Sequence, residues 1–171
     1  MKSRKASETL AITTRIVLPN DTNTLGNLFG GQLLAWMDVI ASVSAHRHSR
    51  RVVVTASVNN VSFREPIGHS SIVTLEAKVS RAFSSSMEVF VDVFVEDPVT
   101  GKTRKSNEAI YTFVAVDQNG GPIQVPELIP ETEEEKARFD GAMRRKELSL
   151  ILAGKMKPSD AKELRALFNE E

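Results

Sequence analysis

The distribution of apolar and polar positions along the chain predicts five β-strands. Successive side chains of a strand point to opposite faces of its sheet, so a half-buried strand alternates apolar and polar residues. This alternation occurs in five stretches, at residues 10–18, 51–63, 71–79, 86–97 and 106–117. In the first stretch Leu10, Ile12, Ile16 and Leu18 share one phase, and we expect this face of the strand to be the buried one.

Between the first two strands the apolar positions follow a helical period, from Gly30 to about His48. Trp36 and Val39 extend the apolar surface almost all the way round, which indicates a helix covered by protein on every side. One strand, one long helix and four further antiparallel strands pack economically as an α+β hotdog fold. In this fold a curved, five-stranded antiparallel sheet wraps around a long central helix. Its long edge strand favours edge-to-edge pairing into a dimer.

The composition changes after Pro122, where prolines and an acidic run predict an extended linker followed by two helices. Thr132 and Glu135 have the spacing of a capping box, and Ser159 is a candidate N-cap for the second helix. We therefore divide the chain into a hotdog domain, residues 1–128, and a charged helical C-terminal extension, residues 129–171. The extension either presents a solvated face or forms an assembly contact through its apolar residues Leu148, Leu150, Ile151 and Leu152.

Composition excludes several classes of function. The 22 Lys and Arg residues balance 22 Asp and Glu residues, whereas a nucleic-acid binder usually carries a basic excess. With no cysteine there is no disulfide framework and no thiol nucleophile, and three histidines leave little material for a zinc site or a Ser-His-Asp triad. No apolar run reaches membrane-spanning length, and the basic N-terminus is not followed by the apolar segment of a secretory signal. We expect a cytoplasmic protein without a metal.

Asp38 is the leading candidate for chemistry. It lies inside the predicted apolar helix, where an unpartnered carboxylate would be costly to bury. Such a residue is either a structural cap that bonds loop amides or a general base or nucleophile in a water-poor site.

The loop before this helix contributes further candidates. Gly30 and Gly31 lie where the helix should begin, and its first amides can polarise a carbonyl or hold an oxyanion. The glycines serve equally well for close helix–sheet packing. Asn20, Asn23 and Asn27 are ordinary turn residues, although a side-chain amide there could also orient a water molecule or a carbonyl.

The combined motifs resemble the cytosolic acyl-CoA thioester hydrolases of the hotdog superfamily, the brain-type acyl-CoA hydrolases and their single-domain bacterial relatives. The segment LPNDTNTLGNLFGGQLLAWMD, residues 18–38, looks like the signature of this family. The segments VVTASVNNVSF and EAIYTFVAVD are similar to its second and last core strands. The likeness extends from about Thr9 to Glu135.

The resemblance implies hydrolysis of the acyl-CoA thioester, with CoA as part of the substrate and no separate cofactor. By motif position it implies that Asn23 and Asp38 are the catalytic residues. In this family the two residues of one site come from facing protomers, so the dimer is the minimal catalytic unit, and dimers commonly assemble as a trimer of dimers.

The chain departs from the family pattern in places. The family turn that contacts CoA commonly reads Gly-Arg-Thr/Ser-Ser, and here Phe83 and Ser84 replace the Gly-Arg pair. The family's Gly-Asp after the second strand is replaced by GHSS, and the extension after Gly141 has no assigned counterpart. The candidate CoA contacts are Arg64, Ser84, Ser85 and Ser86.

Two alternatives remain from the residues alone. One is a non-catalytic acyl-CoA-binding hotdog module, although regulators of this kind usually carry a DNA-binding domain. The other is a hotdog hydratase or dehydratase, which typically pairs a catalytic histidine with an acid. No histidine precedes Asp38 in the predicted helix.

Overall fold

The computed structural model describes residues 1–63 and 65–168. It divides into two compact units, residues 1–129 and residues 130–171, which are described separately. Within the described residues, no helix is both long and apolar enough to cross a membrane.

The first unit contains one antiparallel five-stranded sheet. Its strands are β2 (Ala11–Ile16), β3 (Val52–Asn59), β4 (Ile72–Ala82), β5 (Ser86–Glu96) and β6 (Thr103–Val116), and their order in the sheet is β2-β4-β5-β6-β3. Two short strands, β1 (Arg4–Lys5) and β7 (Leu128–Ile129), form a separate parallel pair. The connection from β2 on one edge to β3 on the other is made by helix α1 (Gly30–Ser49), which packs against all five strands of the sheet. This is the predicted hotdog fold.

The core lies between α1 and the face of the sheet that curves around it. The alternation predicted for β5 is confirmed, because Met87, Val89, Val91, Val93 and Val95 are all buried on this face. Trp36, Met37, Ile40 and Ala41 of α1 pack against it. Burying these apolar side chains contributes on the order of 1.5–3 kcal/mol for each large one.

The predicted phase of the first strand is wrong. Ile12, Ile16 and Leu18 are 54–57% exposed, whereas Ala11 and Val17 of the opposite phase are buried. Ala11 pairs in register with Ala77, and these two small side chains leave room for the helix to approach the sheet closely. Both phases of this stretch contain apolar residues, and the close approach of α1 selects the phase with the smaller ones.

The prediction that α1 is covered on every side is also wrong for the single chain. Val39 is 57% exposed, Ala35 and Val43 are exposed, and Asp38 is half-buried on the same side of the helix. An apolar stripe of α1 next to Asp38 therefore remains uncovered by this chain.

The second unit contains helices α2 (Glu133–Leu152) and α3 (Lys162–Ala166), which pack against each other. The predicted capping box at the start of α2 is confirmed, with the Thr132 side chain accepting from the amide of Glu135. Ser159 is not an N-cap, because Pro158–Asp160 form a 3-10 turn and α3 begins three residues after Ser159. Instead, the buried Glu147 carboxylate of α2 accepts from the amides of Glu163 and Leu164 at the start of α3.

Candidate active site

The loop before α1 is organised by Asn23. Its side-chain oxygen accepts hydrogen bonds from the amides of Leu25 at 2.9 Å and Asn27 at 3.2 Å. Its own amide donates to the carbonyl of Asn27 at 2.7 Å. Asn23 thus holds a tight turn, as its residue type suggests. The Asn23 side-chain amide nitrogen is not used by these bonds and is a potential donor to a ligand.

Gly30 and Gly31 are the first two residues of α1. The amides of Gln32 and Leu33 bond the carbonyl of Phe29, whereas those of the two glycines find no acceptor in the described part of the chain. Unsatisfied amides at a helix N-terminus carry partial positive charge and can hold an anion. Aromatic rings pack closely over both glycines. A Cβ atom added at Gly30 would lie 3.2 Å from the ring of Phe63, and one added at Gly31 would lie 2.8 Å from the ring of Phe29. The residues packed against the two glycines are therefore loop residues and not residues of the sheet.

Asn23 and Gly30 line one cleft, of about 360 Å³, which we call the loop cleft. Its walls also include Asn27, Leu33, Phe63 and Asn107. It offers side-chain amides and helix N-terminal amides beside apolar walls. It contains no candidate base other than Glu65, whose carboxylate forms an ion pair with Arg104.

Asp38 lies on the third turn of α1 and accepts a hydrogen bond from the hydroxyl of Thr55, with 2.8 Å between Thr55 Oγ1 and Asp38 Oδ1. Thr55 is the last regularly paired residue of β3 before a β-bulge. The register between β3 and β6 shifts between Thr55 and Ser57, leaving Ala56 unpaired. A bulge bends a strand and redirects a side chain, so Thr55 and Val58 lie on the same face of the sheet despite their odd spacing.

A second cleft, of about 460 Å³, contains Asp38, and we call it the helix cleft. Its other walls are apolar or aromatic: Leu34, Ala35, Val58, Val61 and Tyr111. The Tyr111 hydroxyl donates to the carbonyl of Leu34 at 3.0 Å. Burial, with a smaller contribution from the negative charge of Asp38, raises the pKa of Tyr111 to about 12. Tyr111 therefore stays a protonated hydrogen-bond donor at every pH at which the protein would work.

Within one chain the structure does not bring Asp38 together with Asn23, Gly30 and Gly31. Gly30 and Asp38 are eight positions apart in α1, and this spacing corresponds to about 12 Å along the helix axis. Asn23 and Gly30 line the loop cleft, whereas Asp38 lines the helix cleft. The described chain therefore places the carboxylate of Asp38 in one cleft and the amide donors in another.

The predicted CoA contacts at Ser84, Ser85 and Ser86 lie in the β4–β5 hairpin and line neither cleft. The carbonyl of Ser85 accepts from the amide of Ala115 in β6. The carbonyl of Ser84 accepts from the amide of Val125, which ties this hairpin to the segment after β6. Arg64 lies outside the described residues.

Thr55 is the site residue that sequence reasoning missed. Its position inside a stretch of alternating residues predicts only a strand threonine.

Comparison with known protein families gives one matching profile, that of the thioesterase superfamily, over residues 25–102. The acyl-CoA thioester hydrolase YkhA of Bacillus subtilis is 45% identical over 144 residues, which is 84% of each chain. Acyl-coenzyme A thioesterase 11 of Mus musculus is 40% identical over 84% of this chain. This chain spans only 24% of that longer mouse protein.

Solved structures match more of the chain. An acyl-CoA hydrolase from Bacillus cereus, 38% identical, superposes with a TM-score of 0.86 and covers 97% of this chain and 98% of its own. The C-terminal extension therefore does have a structural counterpart. A hexameric acyl-CoA thioesterase, 40% identical, gives a TM-score of 0.86 over 90% of this chain and 98% of its own.

The acyl-CoA hydrolase of Staphylococcus aureus, determined with butyryl-CoA and CoA, is 36% identical and gives a TM-score of 0.82. The match covers 90% of this chain and 95% of the other. Variants of that hydrolase in which an aspartate, a threonine or an asparagine is replaced by alanine also match.

Proposed function

This chain belongs to the acyl-CoA thioester hydrolases of the thioesterase superfamily, and we propose that it hydrolyses acyl-CoA to CoA and a carboxylic acid with Asp38 as the general base. The observation that carries the role of Asp38 is its hydrogen bond from Thr55 beside an otherwise apolar cleft. The aspartate, threonine and asparagine replaced in the S. aureus hydrolase are the same residue types as Asp38, Thr55 and Asn23, which supports the assignment.

The proposed reaction begins with a water molecule in the helix cleft. Thr55 donates to Oδ1 of Asp38, which leaves Oδ2 to accept the proton of that water as its oxygen attacks the thioester carbon. The carbonyl oxygen becomes an oxyanion, which the amides of Gly30 and Gly31 and the side chain of Asn23 would stabilise. The C–S bond then breaks, and the thiolate of CoA takes up the proton held by Asp38. In the alternative mechanism Asp38 attacks the carbon directly, which hydroxylamine would reveal by trapping an acyl-Asp38 anhydride.

These groups can act together if a second protomer supplies the missing half of each site. We propose a dimer in which Asp38 and Thr55 of one protomer meet Asn23 and the helix N-terminus of the other. Two features support this. The apolar stripe of α1 next to Asp38 is uncovered, and β3 is an edge strand with Val52, Val54 and Val58 exposed. An unpaired edge beside apolar surface favours association.

We propose further that such dimers assemble into a trimer of dimers, which is consistent with the hexameric relative. We also propose a cytoplasmic location, as the name of a cytosolic relative from Rattus norvegicus suggests. Arg64 and the serines at 84–86 remain our proposed contacts to the CoA part of the substrate.

The role of Asp38 is tested by Asp38→Asn, which removes the base and keeps the shape of the side chain. Release of free thiol from a panel of acyl-CoAs should fall by about two orders of magnitude or more in kcat, as expected for loss of a general base. Circular dichroism should show the wild-type fold. Asp140→Asn is the matched control, because it changes an exposed carboxylate of α2 in the second unit and should leave kcat unchanged.

Wild-type turnover in folded Asp38→Asn would refute the mechanism. A wild-type protein that binds acyl-CoA and releases no thiol from any member of the panel would refute the activity itself. That second result would favour the non-catalytic binding module.

A further inference from the structure

Tyr111 links helix α1, which carries Asp38, to the part of the sheet that contains Thr55. It lies on β6, which pairs with β3, and its register partner on β3 is Val58. The neighbouring inward residue of β6, Phe113, pairs in register with Thr55. The rings of Tyr111 and Phe113 stack with their centroids 6.3 Å apart and their planes 19° from parallel. A rigid aromatic pair on β6 thus lies next to the strand that carries Thr55.

The hydroxyl of Tyr111 reaches from the sheet to the helix. It donates to the carbonyl of Leu34 at 3.0 Å. In an α-helix this carbonyl also accepts the amide of the residue four positions later, which is Asp38. One oxygen therefore receives both the amide of Asp38 and the phenol of Tyr111. The helical turn that carries the carboxylate is anchored to the strand beside Thr55.

Within the described part of the single chain, this turn is held only from its inner side. Asp38 is half-buried, and Ala35 and Val39 on either side of it are exposed. Tyr111 itself is 1% exposed, so its hydroxyl is held inside the protein and is occupied by Leu34. Its side chain also forms part of the wall of the helix cleft. Its geometry suits the positioning of Asp38 rather than the binding of a substrate.

We propose that Tyr111 is a positioning residue for the hydrolysis, which holds the 34–38 turn of α1 so that Asp38 meets Thr55 and the attacking water in one geometry. This inference rests on the proposed role of Asp38. The reaction requires the carboxylate, the water and the thioester carbon to be aligned, and small misplacements of a catalytic group reduce the rate strongly. Because the hydroxyl of Tyr111 is occupied by the carbonyl of Leu34, we expect its loss to change kcat and leave KM unchanged.

The test is Tyr111→Phe, which removes one oxygen atom and keeps the ring. We expect kcat for thiol release to fall about tenfold, an estimate for a modest loss of alignment, and KM to stay within about twofold. The matched control is Ser49→Ala. Ser49 is also buried and donates its hydroxyl to a carbonyl of the same helix, that of Ala45 at 3.0 Å, but about three turns beyond Asp38. A merely structural role predicts that the two variants lose similar stability and similar activity.

The double variant Asp38→Asn/Tyr111→Phe separates this inference from the proposed function. If Tyr111 acts through the carboxylate, removing its hydroxyl should have no further effect once the carboxylate is gone. Wild-type kcat in Tyr111→Phe, an equal loss in Ser49→Ala, or a full additional loss in the double variant would each overturn the inference. Wild-type activity in Asp38→Asn alone would overturn the proposed function instead.

Discussion

At the scale of single residues, the chemistry of the site depends on how Asp38 is partnered. A carboxylate that accepts one hydrogen bond keeps its second oxygen available for water, and Thr55 is the donor that creates this asymmetry. We predict that Thr55→Val, which keeps the shape and removes the hydroxyl, lowers kcat by about ten- to a hundredfold. Thr55→Ser retains the hydroxyl and should keep most of the activity. Steady-state thiol release measures both variants.

Thr14→Val is the control for this prediction. Thr14 also lies on a strand and makes a side-chain hydrogen bond, to Thr74 at 2.9 Å, but it is on the opposite edge of the sheet. Its loss should leave kcat unchanged. Equal activity of Thr55→Val and the wild type would show that the hydrogen bond to Asp38 has no part in catalysis.

At the scale of elements, buried His48 joins the end of α1 to the segment before β7. Its Nε2 donates to the carbonyl of Pro126 at 2.7 Å, which assigns the proton to Nε2. Nδ1 is buried and has no hydrogen-bond partner among the described residues. Burial lowers the pKa of His48, and the charge of Arg4 acts in the same direction. The hydrogen bond to Pro126 and the negative charge of Glu8 act in the opposite direction and raise the pKa of His48.

The lowered pKa of His48 makes stability depend on pH. The unfolded chain binds a proton at His48 more readily than the folded chain, so the stabilisation is fully present above the unfolded pKa of about 6.5 and is lost as pH falls through the folded pKa. We predict that the free energy of unfolding, measured by urea titration, decreases between pH 7.5 and pH 5, by at most about 1.4 kcal/mol per pH unit from this group. His48→Gln should flatten this dependence, and the exposed His46→Gln should retain it. A His48→Gln curve parallel to that of the wild type would contradict the prediction.

At the scale of the whole molecule, function depends on whether two chains complete one site. Asn23→Ala and Asp38→Ala chains should each be inactive alone and should recover activity when co-expressed. In a mixed dimer one site regains an intact Asn23 and an intact Asp38, and the other site loses both. Random pairing in a twofold-symmetric dimer makes about half of the dimers mixed, so about a quarter of the wild-type activity should return.

Co-expression rather than mixing is required, since a large apolar interface exchanges slowly. The two chains carry different affinity tags, so that mixed dimers can be isolated. Isolated mixed dimers without activity would refute the shared site, and Asn23 would then be only the turn residue that its hydrogen bonds describe. A fully active monomer in size-exclusion chromatography at low concentration would lead to the same conclusion.

Local sequence patterns were sufficient for much of the fold. The alternation in β4, β5 and β6, the helical period of α1 and the capping box at Thr132 all depend on residues a few positions apart, and the structure has each of them. The apolar helix with its single carboxylate also identified Asp38 as the leading candidate for chemistry. These features are determined locally, because the spacing of apolar side chains along a helix or strand and the capping of a helix involve only residues a few positions apart.

Other features were decided by contacts between residues far apart in the sequence. The buried phase of β2 depends on how closely α1 approaches Ala11 and Ala77, and alternation alone cannot distinguish two phases that both contain apolar residues. The pairing of β3 with β6 brings Thr55 to Asp38, which is 17 positions away in the sequence, and Tyr111 donates to the carbonyl of Leu34 from 77 positions away. The separation of Asn23 from Asp38 into two clefts is likewise a consequence of the length of α1. The sequence by itself identified Asn23, Asp38 and the start of α1 as candidates for the chemistry. Only the tertiary structure added Thr55 and decided which of these residues meet, because that depends on packing distances that no local pattern contains.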